Sequence, residues 1–177
     1  FIPRYYANTL VCYSYSKTLS LPGERIGYVM VSPDAEDAVS VYLAVLGAGR
    51  SLGYVCAPSL FQFVVRECVG QLSDISVYER NRKLLYEGLV SFGYHCIKPD
   101  GAFYVMMNLE KLIGRTLGGR VIHNADDFAM AFLEKGLVAV VSCCAFDAPN
   151  FVRWTYATSL ETIKEGLDRL EKFLKEG

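Results

Sequence analysis

Residues 14–28 read SYSKTLSLPGERIGY, and the rest of the chain is organised around them. The stretch gathers an amine on Lys17, a guanidinium on Arg25 and several hydroxyls, Ser14 and Ser16 among them, within a short length of backbone. Residues 9–14 just before it are β-branched and aromatic, which predicts a buried strand that delivers Lys17 to its C-terminal end. Ligands bind at that end in open α/β sheets. Pro22 and Gly23 allow a tight turn, and residues 26–31 predict a second strand, so Arg25 folds back beside Lys17 and the two cations share a pocket.

A lysine held beside a fixed positive charge in a partly desolvated pocket loses some preference for its protonated form, and a neutral amine attacks carbonyls. An arginine fork with nearby hydroxyls suits a phosphate dianion. An aldehyde carrying a phosphate satisfies both halves. Either cation alone after a strand is ordinarily a solvated loop charge, so the combination carries the reading. The pattern S-x-S-K followed by P-G-x-R-x-G-Y resembles the cofactor-lysine segment of class I/II aminotransferases. These are the fold-type I, aspartate aminotransferase-like enzymes that use pyridoxal 5'-phosphate (PLP).

Composition sets the outer bounds. The chain has 177 residues, 52% of them hydrophobic, and a formal net charge of −1. That describes one ordinary domain or slightly more, with enough length for a substantial core. Nothing suggests a nucleic-acid surface or a disordered tail, and no apolar run approaches a membrane span. With no signal-peptide layout either, the expected location is cytoplasmic. The six cysteines, Cys12, Cys56, Cys68, Cys96, Cys143 and Cys144, lack zinc or CxxC spacing and read as reduced thiols. The adjacent Cys143 and Cys144 and the isolated His95 and His123 provide no set of metal ligands, so no metal is expected. The chain starts at Phe1, almost on a core strand, and reads as a fragment. No internal repeat or low-complexity segment interrupts it.

Further along, residues 34–46 predict a helix stopped by Gly47, Ala48 and Gly49, with Arg50 at the break. Residues 58–69 predict a buried helix closed by Gly70. Tyr78, Arg82, Leu85, Leu89 and Phe92 recur at spacings of four and three, the mark of a long amphipathic helix capped near Ser73 or Asp74. From residue 94 the pattern turns to short strands, 94–97 and 102–107, around a turn at 98–101. Residues 111–121 predict an exposed loop. Asn124 and Asp127 cap a helix to about Lys135, with Gly136 before a strand at 137–141. Residues 142–150 form a loop ahead of the strand at 151–157. In that strand Arg153 is a lone cation in an apolar and aromatic run, where an unpaired charge is strongly destabilising, so it needs an anion. Residues 158–161, T-S-L-E, read as a capping box for a last helix with Leu160, Ile163, Leu167, Leu170 and Leu174 on its apolar stripe.

The resemblance adds roles to these residues. It implies an α/β fold comprising the end of the PLP-binding large domain (1–72), a connecting helix (73–93) and the small C-terminal α/β domain (94–177). Lys17 would hold PLP as a Schiff base and act as the catalytic base, while Ser14, Ser16 and Arg25 would hold its phosphate. Arg153, in the setting R-x-x-x-A-x-S, would grip the α-carboxylate of the amino acid; an intramolecular Asp or Glu partner is the alternative. Phe103, in P-x-G-A-F-Y, would wall the substrate, though the motif by itself is only a hairpin. Arg50 could meet a substrate side-chain carboxylate, the alternative being a solvated helix-end cation. Amino acids and 2-oxo acids would be the substrates of a homodimeric protein. The ring-side contacts belong in this family to an N-terminal portion with no position here. A PLP-dependent carbon-sulfur β-lyase or decarboxylase shares a similar lysine segment. A catalytically incomplete folded fragment or dimerisation unit is the alternative of another class.

Overall fold

The computed structural model describes residues 1–175. The chain divides into two compact units, Phe1–Ser73 and Asp74–Gly177.

In the first unit, β1 (Leu10–Ser14) runs into a single helical turn, α1 (Tyr15–Thr18), and β2 (Gly27–Val31) returns antiparallel to β1. The ladder pairs Leu10 with Val31 at one end and Ser14 with Gly27 at the other. Gly27 is required there, because a Cβ would fall on the carbonyl oxygen of Tyr13. The strand expected to be buried is mostly exposed, since two strands alone cannot cover both of their faces. Stacked rings of Tyr13 and Tyr28, with centroids 5.2 Å apart, cover part of it.

Helix α2 (Ala38–Ser51) starts later than expected and runs through Gly47 and Gly49 instead of stopping there. A helical glycine costs about 1 kcal/mol relative to alanine, too little to end a helix whose ladder continues. The stop comes at Gly53, whose φ of +88° is glycine territory and whose N–H reaches the Arg50 carbonyl at 3.0 Å. Arg50 therefore sits in the last turn of α2 rather than after a break. Helix α3 (Ser59–Glu67) forms where a helix is expected, but none of its residues is buried, and Leu60 and Phe63 face solvent. Its composition marks a surface suited to packing without specifying a partner.

The second unit layers helices on one face of an antiparallel sheet. Helix α4 (Ile75–Ser91) is capped by Asp74, whose carboxylate accepts from the Ser76 N–H at 2.9 Å. β3 (Cys96–Ile97) and β4 (Tyr104–Asn108) follow, shorter than or offset from the expected strands. Residues 111–121 are mostly exposed, as expected, but they are not simply a loop. They hold the hairpin β5 (Thr116–Leu117) and β6 (Arg120–Val121), and Leu112 and Leu117, with Ile122 just after, are fully buried. Gly118 and Gly119 have φ of 57° and 82°, as a two-residue hairpin turn with two left-handed positions demands.

Helix α5 (Ala125–Ala131) is capped by Asn124 and widens into a π turn, Phe132–Gly136. The strand expected over 137–141 shrinks to β7 (Val141–Ser142), because Leu137 takes a left-handed φ of 53° as it leaves that turn. Arg169 secures the bend by donating to the Leu137 carbonyl at 2.8 Å. β8 (Phe151–Thr155) and α6 (Leu160–Lys175) complete the unit. The cap of α6 is Ser159, which accepts from the Thr162 N–H at 3.2 Å, one residue later than the T-x-x-E pattern indicates.

The sheet order is β3-β4-β8-β7. Alternation along β4 and β8 sends Val105, Met107, Val152 and Trp154 into the core with Leu85, Leu89, Phe128, Phe132, Leu167 and Leu170. Asn81 is a buried polar residue within this packing, and its amide donates to the carbonyls of Tyr156 at 3.0 Å and Thr158 at 2.7 Å.

Candidate active site

In the first unit the β1–β2 ladder orders the lysine segment. It closes at Ser14 and Gly27, and one further bond runs from the Tyr15 N–H to the Ile26 carbonyl at 3.1 Å. Lys17, two residues after Tyr15, and Arg25, one before Ile26, consequently leave the same end of the ladder. The Ser14 hydroxyl accepts from the Ser16 N–H at 3.2 Å and lies 2.9 Å from the Ser16 hydroxyl. That turn sets the two oxygens side by side ahead of Lys17. Ser73 ties down the far end of the turn, its N–H reaching the Thr18 carbonyl at 3.1 Å and its hydroxyl the same oxygen at 2.9 Å.

Arg25 has a left-handed φ of 52°, a strained backbone position for a residue with a side chain. Its guanidinium donates to the Pro22 carbonyl at 2.6 Å and so folds the P-G-x-R turn onto itself. One bond leaves most of the five guanidinium donors for a ligand. Lys17 and Arg25 are exposed, so the desolvation expected around them does not appear. The donor set itself, two adjacent hydroxyls with a guanidinium and an amine leaving the same end of the ladder, has the chemistry to fit a phosphorylated aldehyde such as PLP. Arg50 is exposed at the end of α2.

In the second unit Arg153 occupies β8 opposite Met106 of β4 and Val141 of β7, on the sheet face away from the core helices. Its guanidinium carbon lies 4.2 Å from the centroid of the Tyr104 ring and 5.1 Å from that of Phe146. Nε is buried without a hydrogen-bond partner. The ion pairs among the described residues all involve other cations, and none joins an Asp or Glu to Arg153. Phe103 is half-buried, its ring 4.5 Å from that of Tyr104 and 6.4 Å from that of Tyr78.

Near Arg153, burial pushes the Cys143 thiol up while the guanidinium opposes the shift. Cys143 and Cys144 are both free thiols. Among the described residues no cluster of three or more His, Cys, Asp or Glu is placed to hold a metal ion, and no helix is long and apolar enough to cross a membrane.

Sequence reasoning missed Tyr104 and Phe146. Tyr104 follows Phe103 in the hairpin motif, but only the β4–β8 register shows that it shares a face with Arg153. Phe146 lies on a short turn, Cys144–Phe146, for which the sequence offers no periodic signal.

Residues 4–170 match the family described as aminotransferase class I and II, and the chain belongs to that family. It is 33% identical to a probable N-acetyl-LL-diaminopimelate aminotransferase of Bacillus subtilis, with 94% of this chain and 40% of that protein covered. It is 30% identical to an aspartate aminotransferase of Geobacillus stearothermophilus, with 98% and 43% covered. Among solved structures, an amino transferase from Eubacterium rectale superposes with a TM-score of 0.80 at 47% identity, covering 99% of this chain and 41% of that one. The aspartate aminotransferase of Rhizobium meliloti also gives 0.80, at 29% identity, with 94% and 42% covered. The chain thus has the α/β fold of part of a fold-type I aminotransferase, and it spans about two fifths of the length of these curated relatives.

Proposed function

We propose that this chain is the C-terminal portion of a PLP-dependent aminotransferase that moves an amino group between an amino acid and a 2-oxo acid. The observation that carries the reading is the turn that sets the Ser14 and Ser16 hydroxyls 2.9 Å apart directly ahead of Lys17. In this reading residues 1–72 end the large domain, 73–93 connect, and 94–177 form the small domain.

Lys17 would hold the cofactor through Nζ and would serve as the general base for the Cα proton. Ser14, Ser16 and Arg25 would hold the cofactor phosphate, the hydroxyls donating singly and the guanidinium in parallel. Arg153 binds the α-carboxylate in bidentate fashion and so orients the Cα–H bond for removal. Phe103 walls the substrate, and Arg50 meets a side-chain carboxylate where the substrate has one. When bound, PLP supplies the electron sink for the charge left at Cα. We read the whole protein as a cytoplasmic homodimer. The apolar surface that residues 1–73 leave exposed, Leu43, Leu60, Phe63 and Val69 included, supports packing within a larger assembly.

Borohydride reduction of the full-length, cofactor-loaded protein, followed by peptide mass spectrometry, tests the assignment. The expected adduct is on Lys17; an adduct on another lysine, or none, refutes it. Keto acid as the product of an amino-acid panel supports transamination, whereas ammonia with pyruvate assigns a β-lyase.

A further inference from the structure

Arg153 combines two features that rarely coincide. Its Nε is buried with no hydrogen-bond partner, and yet two aromatic rings, Tyr104 and Phe146, lie within 4.2 Å and 5.1 Å of its guanidinium carbon. A buried donor without a partner is destabilising until an acceptor arrives. The rings offset part of that by cation–π attraction, which draws the guanidinium over a ring face without using its N–H bonds. The side chain is thereby held in place while its donors remain for a planar, two-oxygen acceptor. Tyr104 is available for this because β4 pairs Met106 with Arg153, and strand alternation returns the residue two positions earlier to the same face.

We propose that Tyr104 and Phe146 are positioning residues for carboxylate recognition, their rings clamping the Arg153 guanidinium so that its donor edge is preset for the substrate carboxylate. The proposal rests on the reading of Arg153 given above. A preset guanidinium gives up less side-chain freedom when the carboxylate binds. The effect therefore falls first on binding of the carboxylate, and only to a small extent on proton transfer at Lys17.

The test uses the full-length, cofactor-loaded protein. Its substrate is whichever of twenty L-amino acids turns over fastest with 2-oxoglutarate as acceptor, and the α-carboxamide of that amino acid is the comparison inhibitor. Tyr104→Leu should raise KM for the acid about tenfold, the size of a partly desolvated cation–π contact, and Phe146→Leu, whose ring is exposed, about threefold, each with kcat within about twofold. The preference for acid over amide should shrink by the same factor. Tyr104→Phe, which keeps the ring, should restore parental KM. Phe146 is 58% exposed, so its replacement leaves the core intact and decides the question if Tyr104→Leu fails to fold. An unchanged acid-over-amide preference in Phe146→Leu, or a fall in kcat at constant KM, overturns the clamp. In that case borohydride trapping on Lys17 shows that the aminotransferase reading survives, while its absence in the parent overturns both.

Discussion

Asn81→Ala should weaken the second unit by about 2 kcal/mol. Asn81 is 2% exposed, and its amide donates to the carbonyls of Tyr156 and Thr158, joining α4 to the segment just after the Arg153 strand. Truncation orphans both acceptors. The Tyr156 carbonyl lies in the core and its loss is worth about 2 kcal/mol, whereas that of half-buried Thr158 can turn to water and is worth about 1. Against this, Asn81 Oδ1 is itself buried without a partner, and removing it returns about 1 kcal/mol. At a urea slope of about 2 kcal/mol/M the midpoint falls by about 1 M. Trp154 is the sole tryptophan and is 6% exposed in this unit's core, so its fluorescence reports this unfolding directly. Asn81→Asp sharpens the test, because it keeps the shape but replaces the donor with a buried carboxyl facing two carbonyls. Such a group is easier to protonate when folded, so its deficit relative to the parent should be smallest below about pH 4 and grow as pH rises. A loss under about 0.5 kcal/mol for Asn81→Ala, as at a neutral surface site, would refute the reasoning.

Three further outcomes follow from the same geometry. Gly27→Ala places a Cβ on the Tyr13 carbonyl oxygen, splitting the Ser14 and Gly27 pair, and should abolish borohydride trapping on Lys17 in the full-length protein; undiminished trapping would show that the ladder does not place Lys17. Ser159→Ala should lower the stability seen by Trp154 by about 1 kcal/mol through loss of the α6 cap, and an unchanged midpoint would return the cap to Thr158. Burial pushes the Cys96 thiol from 9.0 up to about 11, so the folded state holds that proton more tightly. The associated stability is present below pH 9 and is lost as pH rises through 11. Cys96→Ala should flatten the fall of the urea midpoint over that interval, and parallel profiles would refute the assignment; the Tyr94 and Tyr156 phenols, also raised by burial, account for the remaining slope.

The site was legible where its residues are close in sequence. Ser14, Ser16, Lys17 and Arg25 lie within one hairpin, and local rules about strands, Pro-Gly turns and hydroxyl caps suffice to bring them to one end of it. Boundaries were less legible. Helix α2 passes through Gly47 and Gly49 because ladder continuity outweighs the modest penalty of glycine, and the otherwise exposed 111–121 segment anchors Leu112 and Leu117 in the core cluster of the second unit. The widened turn at Phe132–Gly136 displaced the expected strand for a similar reason, since it answers to packing around Phe132.

The clustering of Ser14, Ser16, Lys17 and Arg25 in one hairpin, the isolation of the Arg153 charge and the amphipathic faces of α4 and α6 were determined by the sequence alone, because each depends on residue type and local spacing. Which rings meet Arg153, and what Asn81 holds, was decided only by tertiary structure. Strand register and the packing of α4 against the end of β8 depend on pairings far apart in the chain, and no local pattern encodes the distance at which they close.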